Sequence, residues 1–327
     1  MKLMLDVDIK PPAQKINYND SIFLIGSCFT EHIGKRLEEL KFPVLQNPNG
    51  ILFDPISVTQ SINSYIDNKN YKEDDLFFLN DLWQSWNHHS VFSGMDSKGV
   101  LSNINKSQAE AHNHLKTATW LIITLGSSFS YNLQESKQPV ANCHRAPAQW
   151  FNKNLLSTEE TATRLNDTIQ RLKLFNPALK IIFTISPVRH IRDGVVENNR
   201  SKARLIEAVH QTLQAFNHTY YFPAYELVID ILRDYRFYDI DLVHPNYAAT
   251  EIVFERFEQS FIDNQMHPIM EEIKRITTAF KHKPFHPETA MHQSFLQNSI
   301  EKIKQVKTKL PHLDFSKELA YFERKGR

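Results

Sequence analysis

The chain has 327 residues, of which only 8 are glycine, and its formal net charge is +1. At the usual glycine content of about 7%, a chain of this length would carry roughly 23, so collagen-like, linker-like and low-complexity architectures are excluded. The hydrophobic fraction of 41% and the near-neutral charge are typical of a globular protein and argue against general nucleic-acid affinity. The chain has no 18-residue apolar run, and acidic residues lie close to Met1. We therefore expect a cytoplasmic protein, bacterial or eukaryotic, that binds neither nucleic acid nor membrane.

Short apolar runs that end at turn residues alternate with helical patterns along most of the chain. Strands are predicted at Ser21–Gly26, Pro43–Gln46, Trp120–Gly126, Lys180–Pro187 and Thr219–Phe222. Helices are predicted at Glu31–Leu40, Pro55–Ile66, Ser107–Lys116, Ser157–Phe175, Ser201–Phe216, Ala224–Asp234 and Tyr247–Phe261. Strands that alternate with helices at this spacing predict a parallel sheet with helices on both faces.

Two segments depart from this alternation. Residues 71–105 are rich in Trp, His, Asn and Asp, and we interpret them as an insertion that forms a hairpin or a lid. In residues 263–327, apolar residues recur at helical spacing in two further stretches, which predicts a two-helix appendage with a basic, solvated face. The expected organisation is one α/β domain over residues 1–262, followed by this C-terminal helical extension.

The first candidate for chemistry is the turn Gly26-Ser-Cys-Phe-Thr30, which links the first strand to the first helix. Ligands of an open parallel sheet bind at the carboxyl ends of its strands. A thiol at a helix N-terminus can have its pKa lowered to about 3.5–7.5, and the N–H groups there can stabilise an oxyanion. On its own, this turn is better interpreted as an ordinary tight turn in which Cys28 is a small buried hydrophobic residue.

The second candidate is the loop Asp239–Asn246, just before the last helix of the α/β domain. Asp241 and His244 are three residues apart, a spacing that lets a carboxylate orient an imidazole. Such a histidine can act as general base for a Ser or Cys nucleophile. Alone, the pair fits a capping aspartate beside a surface histidine. The early nucleophile and the late Asp-x-x-His together are much more specific.

These motifs lie among segments whose order matches a known family. The segments are Gly26–Thr30, Asn47–Pro55, Thr124–Ser127, Asn142–His144, Ser186–Gly194, Glu197–Lys202, Tyr221–Glu226 and Asp234–Tyr238. They resemble the GSCFA-domain family, a branch of the SGNH (GDSL-like) hydrolase superfamily, from about the N-terminus to Phe261. The resemblance implies a three-layer α/β/α sandwich, flavodoxin-like, with a five-stranded parallel sheet and no cofactor. It also implies a small-molecule or carbohydrate ester as substrate.

The resemblance further implies a catalytic set. The superfamily's nucleophile position falls on Cys28, and Ser27 is the alternative if the turn shifts by one residue. Its Asp-x-x-His motif falls on Asp241 and His244. These residues imply a hydrolase or acyltransferase that acts on an ester or thioester.

The oxyanion donors implied by the resemblance are Gly50 and Ser128. Ser128 stands where the superfamily has Asn, and Ser27 stands where it has Asp. These two departures support an alternative function, a catalytically inactive protein that binds an acylated or carbohydrate ligand.

Four further residues are candidates for substrate binding. Arg189 and His190 follow a predicted strand at its carboxyl end, where an arginine would suit a carboxylate or phosphate. A capping arginine and a loop histidine explain them equally well. Asn142 and His144 are singled out by the resemblance.

Metal binding and disulfide formation are not expected. The chain has 15 histidines but no His-x-x-x-His on a helix and no Cys-x-x-Cys, so we expect no metal site. Its two cysteines, Cys28 and Cys143, give no disulfide framework. We expect a monomer or a weak homo-oligomer.

Overall fold

The computed structural model describes residues 5–325. The chain begins with β1 (Ile22–Gly26), α1 (Cys28–Glu39), β2 (Val44–Gln46), α2 (Pro55–Ile66), β3 (Phe77–Leu79), β4 (Leu82–Gln84), α3 (Ser97–Thr117) and β5 (Trp120–Leu125). It continues with β6 (Phe129–Leu133), β7 (Pro139–Val140), β8 (Phe151–Leu155), α4 (Thr158–Phe175), β9 (Lys180–Ile185), α5 (Val195–Ala215) and β10 (Thr219–Phe222). The last elements are α6 (Ala224–Glu226), which continues as a π-helical segment (Leu227–Leu232), then α7 (Tyr247–Phe261), α8 (His267–Lys281), α9 (Ala290–Lys309) and α10 (Ser316–Lys325).

The central sheet has five parallel strands in the order β10-β9-β5-β1-β2. Gly26 pairs with Thr124, and Thr124 pairs with Thr184, so the carboxyl ends of the three middle strands lie side by side. Because helices cover both faces, β1 is buried along its whole length, which explains its uninterrupted apolar sequence. The predicted α/β/α sandwich with a five-stranded parallel sheet is confirmed.

Two hydrophobic clusters, one on each face of the sheet, form the core. Alternate residues of β1 point to opposite faces, with Phe23 in the cluster that includes α2, α3, α4 and α5. Leu24 lies in the cluster that includes α1, α7 and the C-terminal helices. This division gives the three layers, and it places α1 and α5 on opposite faces of the sheet.

The chain between residues 263 and 325 forms three α-helices, and not the predicted two helices. The pattern missed α10 because it is short and begins only after the turn that follows Pro311. The three helices share a core cluster with α1, through buried residues such as Ile273 and Phe322. Polar contacts at the end of α1 strengthen this packing, since Thr277 Oγ1 donates to Glu39 O at 3.1 Å.

The segment between α2 and β5 contains the hairpin β3–β4 and the long helix α3. This helix begins at Ser97, ten residues before its predicted start, because Asp96 caps it by accepting the N–H of Gly99 at 2.8 Å. A small antiparallel sheet, β7-β6-β8, was not predicted, since its strands are mostly half-exposed and polar. Within residues 5–325, no helix has the length and apolar character needed to cross a membrane.

Candidate active site

The turn between β1 and α1 is held by close backbone packing. Gly26 has a φ of +147°, and a Cβ at this position would lie 2.2 Å from Thr124 O, so only glycine fits. Its N–H donates to Asn47 Oδ1 at 2.9 Å, and the N–H of Ser27 donates to Thr124 O at 3.1 Å. These contacts set the position from which α1 starts at Cys28, at the carboxyl edge of the sheet.

Ser27 and Cys28 differ in what they offer to a ligand. Ser27 is 1% exposed, and no described residue hydrogen-bonds to its Oγ. Cys28 is partly exposed at the N-terminus of α1, where the N–H groups of Phe29 and Cys28 act on its sulfur. Of the two residues, the structure presents Cys28 to solvent.

Cys28 does not have the lowered pKa that a position at a helix N-terminus can give a thiol. Burial raises the pKa of the thiol above its ordinary value, and the negative charge of Glu31 adds to this effect. The N–H group of Phe29 and the positive charge of Lys202 act in the opposite direction, but they do not outweigh the other two causes. Cys28 is therefore a thiol at neutral pH and needs a base to become a nucleophile.

Asp241 and His244 form a hydrogen-bonded pair in the loop before α7. The distance from His244 Nδ1 to Asp241 Oδ2 is 2.6 Å, and both side chains are nearly half exposed, at 45% and 46%. Hydrogen bonds from the backbone and side chain of His244 lower the pKa of Asp241 to about 2, so the carboxylate is ionised. The loop is tied to the end of β9, because the N–H of Arg189 donates to Val243 O at 3.1 Å.

Three histidines lie near one another at this edge. The positive charge of His244 contributes to the lowered pKa of both His32 and His190, for each of which burial is the main cause. His32 lies one helical turn after Cys28 on α1. In the described part of the chain, no hydrogen bond joins Cys28 to His244. The pair and the thiol thus lie at the same edge of the sheet, and no hydrogen bond links them among the described residues.

His190 is partly buried beside the ring of Phe53, at a centroid distance of 5.3 Å, after the carboxyl end of β9. A Cβ at Gly126 would lie 3.1 Å from His190 Nε2 and 3.4 Å from Ser27 Cβ, so these residues converge on one point. Burial lowers the pKa of His190 to about 3, which keeps its ring neutral. Its buried Nε2 has no hydrogen-bond partner among the described residues.

The guanidinium of Arg189 contacts two neighbouring aromatic rings. Its guanidinium carbon is 4.1 Å from the centroid of Tyr238 and 5.2 Å from that of Tyr235. Within residues 5–325, no carboxylate forms an ion pair with it. The arrangement fixes the guanidinium at the carboxyl edge of β9.

The two expected oxyanion donors form hydrogen bonds to other residues of the protein. The N–H of Gly50 donates to Asn47 O at 2.7 Å, which closes the turn between these residues. Ser128 is fully buried, its hydroxyl donates to Ser201 O at 3.1 Å, and its N–H donates to Ser201 Oγ at 2.7 Å. In this structure, the N–H of Gly50 and the hydroxyl of Ser128 both donate to backbone carbonyls of the protein, and their role as oxyanion donors stays a prediction.

His144 is hydrogen-bonded to the segment that contains Ser85 and Ser90, and Asn142 supports its backbone. His144 is buried, and its ring nitrogens lie 2.8 Å from Ser85 O and 3.3 Å from Ser90 Oγ. Asn142 Oδ1 accepts the N–H of His144 at 2.8 Å. Both ring nitrogens of His144 thus have hydrogen-bond partners within the protein, and its role in substrate binding stays a prediction. The same contact uses the Asn142 oxygen.

Lys202 is the main site residue that the sequence did not reveal. Its side chain is buried on α5, and Nζ donates to Gly126 O and Ser186 O, both at 2.6 Å. Burial lowers the pKa of Lys202 to about 7, against the effect of a negative charge at Cys28. Lys202 lies on the apolar stripe of α5, at helical spacing from Leu205 and Val209. A lysine on a stripe of apolar residues is the sequence signal that could have identified it.

Comparison with known proteins gives two family matches. The model described as the GSCFA family matches residues 21–257, and the model described as the GSCFA domain protein, C-terminal domain, matches residues 273–326. No curated protein matches the chain.

Two solved structures resemble the chain at 10% sequence identity. A family 3 carbohydrate esterase from Clostridium thermocellum has a TM-score of 0.33, with 77% of this chain and 97% of that chain covered. An acetyl xylan esterase from the rumen bacterium Butyrivibrio proteoclasticus has a TM-score of 0.37, with 75% and 64% covered.

Proposed function

The chain belongs to the GSCFA family, and on that premise we propose that it is an acyl-transfer enzyme of the SGNH type. It would be a hydrolase or acyltransferase that acts on a small-molecule or carbohydrate ester or thioester. One observation carries the proposal: a partly exposed thiol at a helix N-terminus shares a sheet edge with an aspartate-bound histidine. A nucleophile, a base and a group that orients the base are what acyl transfer requires.

Cys28 Sγ attacks the acyl carbonyl carbon while the thiol proton passes to His244 Nε2. The bond to the leaving group then breaks, and the leaving oxygen or sulfur takes the proton from His244. The acyl group is now bound to Cys28 as a thioester. Water or an acceptor alcohol attacks this acyl-Cys28 thioester and gives its proton to His244, and the acyl product is released. The proton on His244 returns to Cys28. Asp241 stays ionised throughout, because its pKa of about 2 lies far below neutral pH.

The oxyanion is stabilised by the N-terminus of α1. The side chain of Ser27, at the N-cap position, makes no capping hydrogen bond, so it leaves the first N–H groups of the helix free. The N–H groups of Cys28 and Phe29 point toward the sulfur and suit an oxyanion formed beside it. These groups take the place of the expected donors at Gly50 and Ser128.

A second function is favoured by two specific observations. The pKa of Cys28 is raised, and no hydrogen bond joins Cys28 to His244 within the described residues. Both fit a protein that binds an acylated or carbohydrate ligand in the same crevice without turning it over.

The test is turnover of a panel of short acyl esters and thioesters. We expect wild type and Ser27→Ala to be active, and Cys28→Ala and His244→Ala to lose about 10²-fold or more of kcat/KM. Cys143→Ala serves as the matched cysteine control and should keep its activity. Absence of wild-type turnover, or turnover that survives all the changes, would overturn the acyl-transfer function. Saturable binding of a panel ester without turnover would support the second function.

A further inference from the structure

We propose that Lys202 is a positioning residue that supplies the positive charge opposite the Cys28 thiolate and the oxyanion formed beside it. The inference rests on the proposed function to the extent that Cys28 is the nucleophile. It assigns a role to a buried ammonium group on a helix that otherwise packs on the opposite face of the sheet.

The contacts of Lys202 place its charge directly behind the nucleophile turn. Nζ bonds the carbonyls of Gly126 and Ser186, which follow the ends of β5 and β9. Gly126 packs against the turn, because a Cβ at this position would lie 3.4 Å from Ser27 Cβ. Lys202 therefore reaches across the carboxyl edge of the sheet from α5 to the side on which α1 begins.

The ammonium of Lys202 has no compensating negative charge. The side chain is 1% exposed, and in residues 5–325 no carboxylate forms an ion pair with it. An ammonium group has three N–H donors, and the described residues supply acceptors for two of them. A buried, unpaired charge is costly, which is why burial lowers the pKa of Lys202 to about 7, and the ring of Tyr225, whose centroid is 5.6 Å from Nζ, is the aromatic contact of the ammonium.

The negative charge that balances Lys202 is the one that forms on the Cys28 sulfur during the reaction. A negative Cys28 raises the pKa of Lys202, and a positive Lys202 lowers the pKa of Cys28. The other charged groups that act on this pair are Glu31 on α1, which opposes the thiolate, and His190, whose ring is neutral. Among these side chains, Lys202 alone stabilises a negative charge on the sulfur.

A purely structural role makes a different prediction. If Lys202 only bound the two carbonyls, its replacement would change stability and leave the titration of Cys28 unchanged. The pH dependence of Cys28 alkylation separates the two roles, because it depends on the thiolate fraction and not on turnover.

The experiment measures the rate of Cys28 alkylation by iodoacetamide against pH, with peptide mass spectrometry to read Cys28 and Cys143 separately. In Lys202→Met, we expect about tenfold slower alkylation of Cys28 than in wild type at about pH 6, because Lys202, with a pKa of about 7, is an ammonium at that pH. Lys35→Met removes an exposed lysine from α1 and should leave the rate at this pH as it is in wild type. An unchanged rate at this pH in folded Lys202→Met would overturn the proposal.

A second measurement applies if Lys202→Met does not fold. The ¹³Cε signal of Lys202, assigned by its absence in Lys202→Arg, is titrated in wild type and in Cys28→Asp. We expect a higher midpoint in Cys28→Asp, because a carboxylate then stands where the thiolate forms and favours the ammonium, and equal midpoints would overturn the proposal. Either titration can succeed while all esters remain unhydrolysed. In that case the proposed function fails and the Lys202–Cys28 coupling stands.

Discussion

His244 Nδ1 donates a hydrogen bond of 2.6 Å to Asp241 Oδ2, while Asp241 Oδ1 accepts the N–H groups of Val243 and His244 at 2.9 and 3.0 Å. The carboxylate is ionised and can only accept, so the proton of the neutral ring lies on Nδ1. The lone pair on Nε2 is then available, which is the tautomer a general base requires.

Replacement of Asp241 by Asn should remove this control of the tautomer. We expect kcat/KM of Asp241→Asn to fall by about 10²–10⁴-fold with little change in KM. Asp239→Asn is the matched control, since Asp239 lies in the same loop but contacts His244 only through its backbone N–H. A comparable loss in both variants would show that loop structure, and not the carboxylate at position 241, matters.

Protonation of Asp241 should not limit kcat/KM on the acid side of its pH profile. The pKa of Asp241 is lowered to about 2, so its charge is present above that value and lost only as the pH falls through it. We expect kcat/KM of wild type to be limited in acid by the base, and the limb to disappear in His244→Ala together with most of the activity. An acid limb that moves in Asp241→Glu and persists without His244 would contradict this assignment.

Ser27→Ala should cost no stability, although it replaces an N-cap serine. Loss of an N-cap side chain usually costs about 0.5–2 kcal/mol, but Ser27 Oγ makes no capping bond and is buried without a partner. Ser157→Ala is the contrasting case, because Ser157 Oγ accepts the N–H of Glu160 at 3.1 Å within a capping box. Urea unfolding should show a loss for Ser157→Ala only.

Glu31→Gln should lower the pKa of Cys28. The negative charge of Glu31 raises that pKa, so its removal favours the thiolate, and alkylation should become faster at a given pH below the midpoint. Glu38→Gln makes the same change farther along α1 and should have no effect on Cys28. Equal midpoints in Glu31→Gln and wild type would count against this electrostatic account of the thiol.

Ile276→Ala should destabilise the whole protein. Ile276 is 1% exposed in the cluster that joins α8 to α1, and truncation of such a residue costs about 2–5 kcal/mol. Leu174→Ala removes an 86% exposed side chain and should change the free energy of unfolding by less than about 0.5 kcal/mol. Separate unfolding of the C-terminal helices, with the sheet intact, would contradict a shared core.

The sheet could be predicted because its strands are buried on both faces and therefore read as apolar runs, as in β1 and β5. The half-exposed strand β6 carries no such signal. The start of α3 was missed because the capping bond of Asp96, and not hydrophobic spacing, sets it.

The sequence indicates which residues are candidates for the site, but not which of their polar groups are already hydrogen-bonded. Cys28 and His244 could be named because each occupies a motif position at a given place along the chain. Whether the N–H of Gly50 is free depends on the turn that begins at Asn47, whose φ of 45° brings its carbonyl within reach. The burial of Lys202 likewise follows from tertiary packing.

The shared core has a consequence for the synthesis of the chain. α1, which begins with Cys28, is made before Phe322, which completes the packing around it. Lys41, just after α1, pairs with Glu318 at 2.7 Å, and His312 bonds Tyr18 O at 2.9 Å. Until α10 has been made, α1 therefore lacks part of the core that buries it, and the growing chain exposes apolar surface that α10 covers in the folded protein.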